Sequence, residues 1–329
     1  MTMRMVRIGL FLGGGVLFAY LVATIGPAAI AASFSQLSWR LLVVLVFPFV
    51  IVTTFDTLGW RFAFRRDTVP FGALLSTRLA GEAFNVTTPT ASVGGEAVKT
   101  WLLRDHVPLS ESLPSVIVAK TTITIAQGLF LVLGIVCAWP TLAPDSPLLR
   151  GMEWMLGLEI IGVGGFVLAQ VAGALGGGGR ILGRLGILGG GSAQGVLRVD
   201  EALSQFYRRE PKRLLLSIAS HFLGWVASAF ETYLILKFLN VPVSFVTAII
   251  IEAVGTAVRF ASFMVPAHLG AIEGGHVLAF LGLGLEAAAG MSFTLVRRLR
   301  EAAWVGLGFL VLAAQRSTVP AGAAPEAEA

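Results

Sequence analysis

The sequence predicts an all-α integral membrane protein with about six spanning helices plus two re-entrant helical hairpins, arranged as an inverted repeat. Three observations lead there. Of 329 residues, 56% are hydrophobic and only 13% charged, with a mean hydropathy of +0.83, whereas an ordinary soluble domain carries about 25% charged residues. The apolar residues gather in runs near the ~20 needed to cross a bilayer. Two further segments, broken by Gly, Pro, Asn and charge, match each other at a constant spacing.

In chain order, a basic start at residues 1–7 precedes an apolar run at 8–25 and small residues at 28–32. That run of 18 residues exceeds the ~7–15 of a signal-peptide core, so a retained first helix is expected. Further spans are predicted at 41–60, 114–139, 154–175, 214–238 and 290–314. Loop charge sets the orientation. Arg4 and Arg7 place the N-terminus inside; Arg61, Arg65 and Arg66 mark a second inner loop; and the stretch 176–213 holds seven basic against three acidic residues. Segments 26–40 and 138–153 are charge-poor and read as outside. Both termini, with Arg316 near the second, then face the cytoplasm of a bacterial inner membrane. The membrane domain covers 1–316, with repeats at about 41–139 and 214–314; the amphipathic stretch 196–207 is expected as a cytoplasmic helix, and 317–329 as a disordered tail.

Several functions are excluded by the same residues. The +5 net charge lies in topology-setting loops, so nucleic acid is not an expected partner. The glycine clusters at 176–179 and 189–191 lack the Lys-Ser/Thr of a phosphate loop. His268, Glu273 and His276 do not form H-E-x-x-H, no G-x-S-x-G is present, and Cys137 stands alone. Neither metal, cofactor nor catalytic set is expected.

The segments 71–104 and 245–285 each begin helical, break at a proline and resume as a short helix, the pattern of non-helical backbone covered by protein at membrane depth. An offset of 177 residues lays Pro89 on Pro266, Glu96 on Glu273, Ser115 on Ser292 and Lys120 on Arg297. Because the matched helices run in opposite directions, one hairpin enters from each side, as in transporters that alternate access about a midplane site.

Charged groups at bilayer depth cost about 2.5–3.5 kcal/mol each and mark function by default. Over both hairpins and the helices after them, eight basic residues (Arg78, Lys99, Arg104, Lys120, Arg259, Arg297, Arg298, Arg300) outnumber five acidic ones (Glu82, Glu96, Glu252, Glu273, Glu301). A basic surplus suits an anionic head group, and Arg offers it bidentate contacts. The candidate substrate-binding residues are Glu82, Asn85, Glu96, Lys99, Lys120, Arg259, Glu273, Arg297 and Arg300. Pro89, Gly95, Pro266 and Gly270 are candidate hinges.

Gly81-Glu82-Ala83-Phe84-Asn85, Pro89 and the run from Gly95 to Arg104 resemble the first block of the flippase-like membrane domain family, named for the membrane region of lysylphosphatidylglycerol synthase. Pro266 to Gly274 and Leu295 to Leu299 resemble its second block. Lys120 stands where that family has an arginine after a glutamate, and Ala119 precedes it here. The Pro266-x-His268-Leu269-Gly270-x-x-Glu273 wording is similar to the branch found near hopanoid synthesis genes. The resemblance implies a lipid translocase or transport accessory, with membrane lipid as substrate, lipid-biosynthesis enzymes as partners and no lipid aminoacylation. A membrane-embedded lipid-modifying enzyme and a non-transporting partner of lipid synthesis stay open as other classes.

Overall fold

A computed structural model describes residues 39–87, 94–172 and 190–317, with isolated positions between 16 and 32. Most of the expected first span, Pro89, most of the glycine-rich stretch and the tail beyond Ser317 lie outside the described residues, while Ser317 itself ends the last helix. The described chain is helical throughout: α1 (Arg40–Ala63), α2 (Phe71–Thr87), α3 (Gly94–Leu102), α4 (Leu109–Ala138), α5 (Pro147–Val171), α6 (Gly190–Arg209), α7 (Pro211–Phe238), α8 (Phe245–Ala261), a 3-10 turn (Pro266–His268), α9 (Ala271–Gly282) and α10 (Ala287–Ser317).

Local chemistry sets many of the starts. Pro147 and Pro211 open α5 and α7 at positions where a missing N–H costs nothing. Ser244 caps α8 by accepting from the Thr247 N–H at 3.0 Å. Gly270 begins α9 with φ 78°, a left-handed backbone that suits glycine, and its N–H donates to the Glu273 carboxylate at 2.7 Å.

Four helices, α1, α4, α5 and α7, are long and apolar enough to cross a membrane. The sequence also counted 290–314 as a span. It lies within the 31-residue α10, but Arg297, Arg298, Arg300 and Glu301 fill the middle of that helix and set it apart from those four. The interrupted segments fold as the helical hairpins α2–α3 and α8–α9. At about 1.5 Å per residue, α3 and α9 reach roughly 14 and 18 Å, about half of a ~30 Å hydrocarbon core.

The halves correspond element by element. Shifting α1 to α4 by 177 residues starts them within six residues of α7 to α10, and Gly94 lands on Ala271, the first residue of α9. Packing follows the same exchange: α2 lies on α10, and its counterpart α8 lies on α4. Both contacts depend on small residues. A Cβ on Gly308 would fall 2.5 Å from the Leu79 carbonyl oxygen, and one on Gly134 would fall 2.1 Å from the Ala253 Cβ. The equivalent helices α1 and α7 run antiparallel. Arg40 sits over the Phe238 ring, Asp56 meets His221, and Arg213 donates to the Arg61 carbonyl. A fixed offset relating two antiparallel helices is the geometry of an inverted repeat.

Polarity runs opposite to that of a soluble domain. Trp154 and Ile161 on α5 are each 74% exposed, and Leu42, Leu168 and Leu310 also face outward, while Glu231 and Glu273 are wholly buried. An apolar exterior around a polar interior is what hydrocarbon solvent selects. The amphipathic α6 buries Leu203 and Phe206 in an apolar cluster with Trp60, Val116 and Leu103.

Candidate functional site

Between the halves lies a cavity of about 310 Å³, walled by α1, α2, α7, α8, α10 and the loop after α8, with Ile123 of α4 also lining it. Four basic residues (Arg78, Arg259, Arg297, Arg300) and three acidic ones (Asp56, Glu82, Glu301) line it, among apolar groups such as Phe49, Phe263 and Trp304. A smaller space of about 110 Å³ shares Arg78 and Glu82 with the first and is also lined by Glu96, Lys99 and Lys120.

On the first-half side, Lys99 of α3 is buried and donates to Glu82 at 2.7 Å and Glu96 at 3.2 Å. Asn85 ties the hairpin together: its Nδ2 donates to Glu96 at 3.2 Å and its Oδ1 accepts from the Gly95 N–H at 2.8 Å. Gly95 is required there, because a Cβ would lie 2.1 Å from the Gly81 carbonyl oxygen. Lys120 is half-exposed and 3.8 Å from Glu96. Arg78 donates to Asp56 at 2.8 Å, and Asp56 also contacts His221 at 3.0 Å.

On the second-half side, α10 carries Arg297, Arg298 and Arg300 inward. Arg297 pairs with Glu252, which further accepts from Ser228 at 2.8 Å and Thr232 at 2.7 Å. Arg300 pairs with Glu231. Arg298 donates to Glu273 at 2.8 Å, to Glu301 at 3.0 Å and to the Ala267 carbonyl at 2.8 Å. That last bond holds a strained corner, since Ala267 and His268 have φ of 51° and 52°, a conformation costing about 1–2 kcal/mol per non-glycine residue.

Arg259 differs from all of these. It lines the cavity near the end of α8, and no ion pair or hydrogen bond joins its guanidinium to any described residue.

The expected site residues therefore separate by place. Glu82, Asn85, Arg259, Arg297 and Arg300 line the main cavity, and Glu96, Lys99 and Lys120 the smaller one. Glu273 lines neither; it is fully buried and joins the start of α9 to α10 through Gly270 and Arg298. Pro266 opens the 3-10 turn, and Gly270 starts α9. Asp56 and Glu231 were not among the expected site residues, although each is a lone acid inside a predicted apolar span and so satisfied the rule applied to the hairpins. With these two added, the basic surplus shrinks from eight against five to eight against seven. His268 and His276 bond to Ser262 and Thr294 respectively. Among the described residues no His, Cys, Asp or Glu group is placed to hold a metal ion.

Positions related by the offset are ionisable four times over: Glu82 with Arg259, Glu96 with Glu273, Lys99 with His276, and Lys120 with Arg297. Fold and site together define a polytopic membrane protein with an ionic chamber between two matching halves. Residues 5–308 match the family described as lysylphosphatidylglycerol synthase TM region, and the chain belongs to that family. Membership associates it with lipid handling at a membrane. No curated protein and no solved structure matches the chain.

Proposed function

We propose that the protein moves a polar or anionic lipid across the bilayer, its head group passing through the cavity while the acyl chains stay in the hydrocarbon. The observation that carries this reading is Arg259, a guanidinium on the cavity wall with no ion-pair or hydrogen-bond partner among the described residues. An unpaired charge at membrane depth is costly, and a phosphate or similar anion would satisfy it with bidentate hydrogen bonds. A space of about 310 Å³ is at the small end for ligand pockets, which suits a head group rather than a whole lipid. The neighbouring arginines are already held by Glu252 and Glu231, so they shape the wall with fixed charge and leave Arg259 to bind. In this reading the termini face the cytoplasm of an inner membrane, and the two hairpins alternate in opening the cavity.

The test is reconstitution into liposomes with head-group-labelled lipids and a membrane-impermeant quencher. Hydrogen bonds to a charged group contribute about 1.5–3 kcal/mol, so Arg259→Gln is expected to slow movement of an anionic lipid roughly 10–100-fold while leaving thermal stability near wild type. Equal rates in wild type and Arg259→Gln would remove the reading. Conversion of the labelled lipid to a new product would replace it with an enzymatic one.

A further inference from the structure

Glu159 lies outside the cavity, on α5, a helix with no counterpart in either repeat. It is 3% exposed; among the described residues its only hydrogen bond is from the Gln127 side chain of α4 at 3.3 Å, and Oε2 has no partner. The other buried carboxylates on the four spanning helices, Asp56 and Glu231, each contact a basic side chain, Arg78 with His221 and Arg300 respectively. Among the described residues Glu159 has none, and no Lys, Arg or His reaches ion-pair distance from a helix packed on α5. From α4 come Gln127 and the backbone at Gly128, and Cys137 lies more than two turns further along. From α8 Phe260 approaches Gly162, and Arg259 beside it turns into the cavity. α9 meets α5 at Gly282 and Leu148, and α6 brings Arg208 only to the Val171 carbonyl, 12 residues away.

An ionised carboxylate is costly to bury where no cation accompanies it, and binding a proton removes that cost. Gln127 also connects the site to the chamber, because it lies one helical turn beyond Ile123, which lines both cavities. We propose that Glu159 is a proton-binding site whose occupancy is coupled, through α4, to the state of the chamber. Resting on the translocation reading, it supplies that reading with a drive: a proton gained from one side when the chamber opens there, and released to the other side after the exchange.

Two measurements on the full-length protein test it. In infrared spectra of proteoliposomes, a protonated-carboxyl band is expected that vanishes in Glu159→Gln and weakens as the pH is raised. In the lipid assay, an imposed pH gradient is expected to accelerate wild type by a factor within the roughly 5–150-fold range of ordinary site-to-site coupling, and Glu159→Gln to keep its basal rate but lose that response. No such band, or one that never changes with pH, overturns the proton site and leaves Glu159 as interhelical glue. An equal gradient response in Glu159→Gln overturns the coupling. Absence of lipid movement in wild type defeats the translocation reading, and with it the drive, while the spectra still decide the proton site.

Discussion

The two halves place ionisable groups at four matching positions and use them differently. In the first half a lysine, Lys99, is shared between Glu82 and Glu96, and Lys120 stands at the edge with 52% of its side chain exposed. In the second, arginines from one helix are clamped by acids brought from α7, α8 and α9, and Arg297, the counterpart of Lys120, is only 8% exposed. The first cluster is small, partly exposed and centred on its own hairpin, with Lys120 of α4 at its edge. The second is dry and built between elements. An ammonium on a flexible stem tolerates a changing set of partners, whereas a guanidinium fork holds one geometry. The contrast predicts that the second-half cluster is the costlier of the two to disrupt.

The most severe way to break that contrast is to remove the equivalent cations. Arg297→Ala leaves Glu252 buried with only the Ser228 and Thr232 hydroxyls, and loss of one partner of a buried pair costs about 3–5 kcal/mol. Lys120→Ala removes a half-exposed group 3.8 Å from its carboxylate, and at most about 1 kcal/mol is expected. Thermal unfolding in one detergent compares the two directly. Equal costs would mean that the two clusters are held alike. Replacing Arg297 and Glu252 together by Met is expected to recover much of the loss, since the penalty lies in the orphaned charge rather than in the pair.

Glycine substitutions sharpen the comparison at the hairpin turns. A Cβ on Gly95 would meet the Gly81 carbonyl oxygen at 2.1 Å and the Asn85 Oδ1 at 2.5 Å, so α3 has to move off α2. Gly95→Ala is expected to cost about 1–3 kcal/mol by overpacking. It should also slow lipid movement, because Glu96 and Lys99 shift with α3. Gly270→Ala acts through backbone conformation at φ 78° and is expected to cost about 1–2 kcal/mol. Urea unfolding together with the lipid assay separates them. A Gly95→Ala protein with wild-type stability would show that α2 and α3 do not need their close approach.

Much of this was legible in the sequence because hydrocarbon is a demanding solvent. Every crossing helix must be long and apolar, so 41–60 and 214–238 fall inside α1 and α7 with only the ends displaced. The larger error, 154–175 against Pro147–Val171, arose because Pro147 starts its helix seven residues before the first residue expected. The charged residues of the hairpins were legible for the same reason: each is conspicuous against an apolar background. Their pairing was not. Arg300 meets Glu231 across 69 residues and His221 meets Asp56 across 165, and no local pattern encodes which acid offsets which base. Counting charge within hairpins therefore overstated the basic surplus, and only the assembled chamber shows that Arg259, alone among the four arginines lining it, has no ion pair with a described residue.

The mildest comparison concerns the turns that lead into α2 and α8. Ser244 caps α8 through its own hydroxyl, whereas the equivalent position, Asp67, reaches to the start of α7 and accepts from Arg213 at 2.6 Å and Arg61 at 3.2 Å. The Arg213 hydrogen bond, aided by Arg61, holds the Asp67 carboxyl below its ordinary value of 3.8. A lowered native value means that the ionised form is favoured by folding, so the contribution is complete above that ordinary value and is lost as the pH falls through the depressed one. The pair is substantially exposed, which limits it to about 0.2–1 kcal/mol, less in high salt. The stability difference between wild type and Asp67→Asn is thus expected to be small and constant at neutral pH and to close toward zero in acid. Ser244→Ala, which removes a hydroxyl cap, should give a difference that does not change with pH. If both variants tracked pH alike, the two turns would be held in the same way, and the contrast between the halves would not extend to the loops.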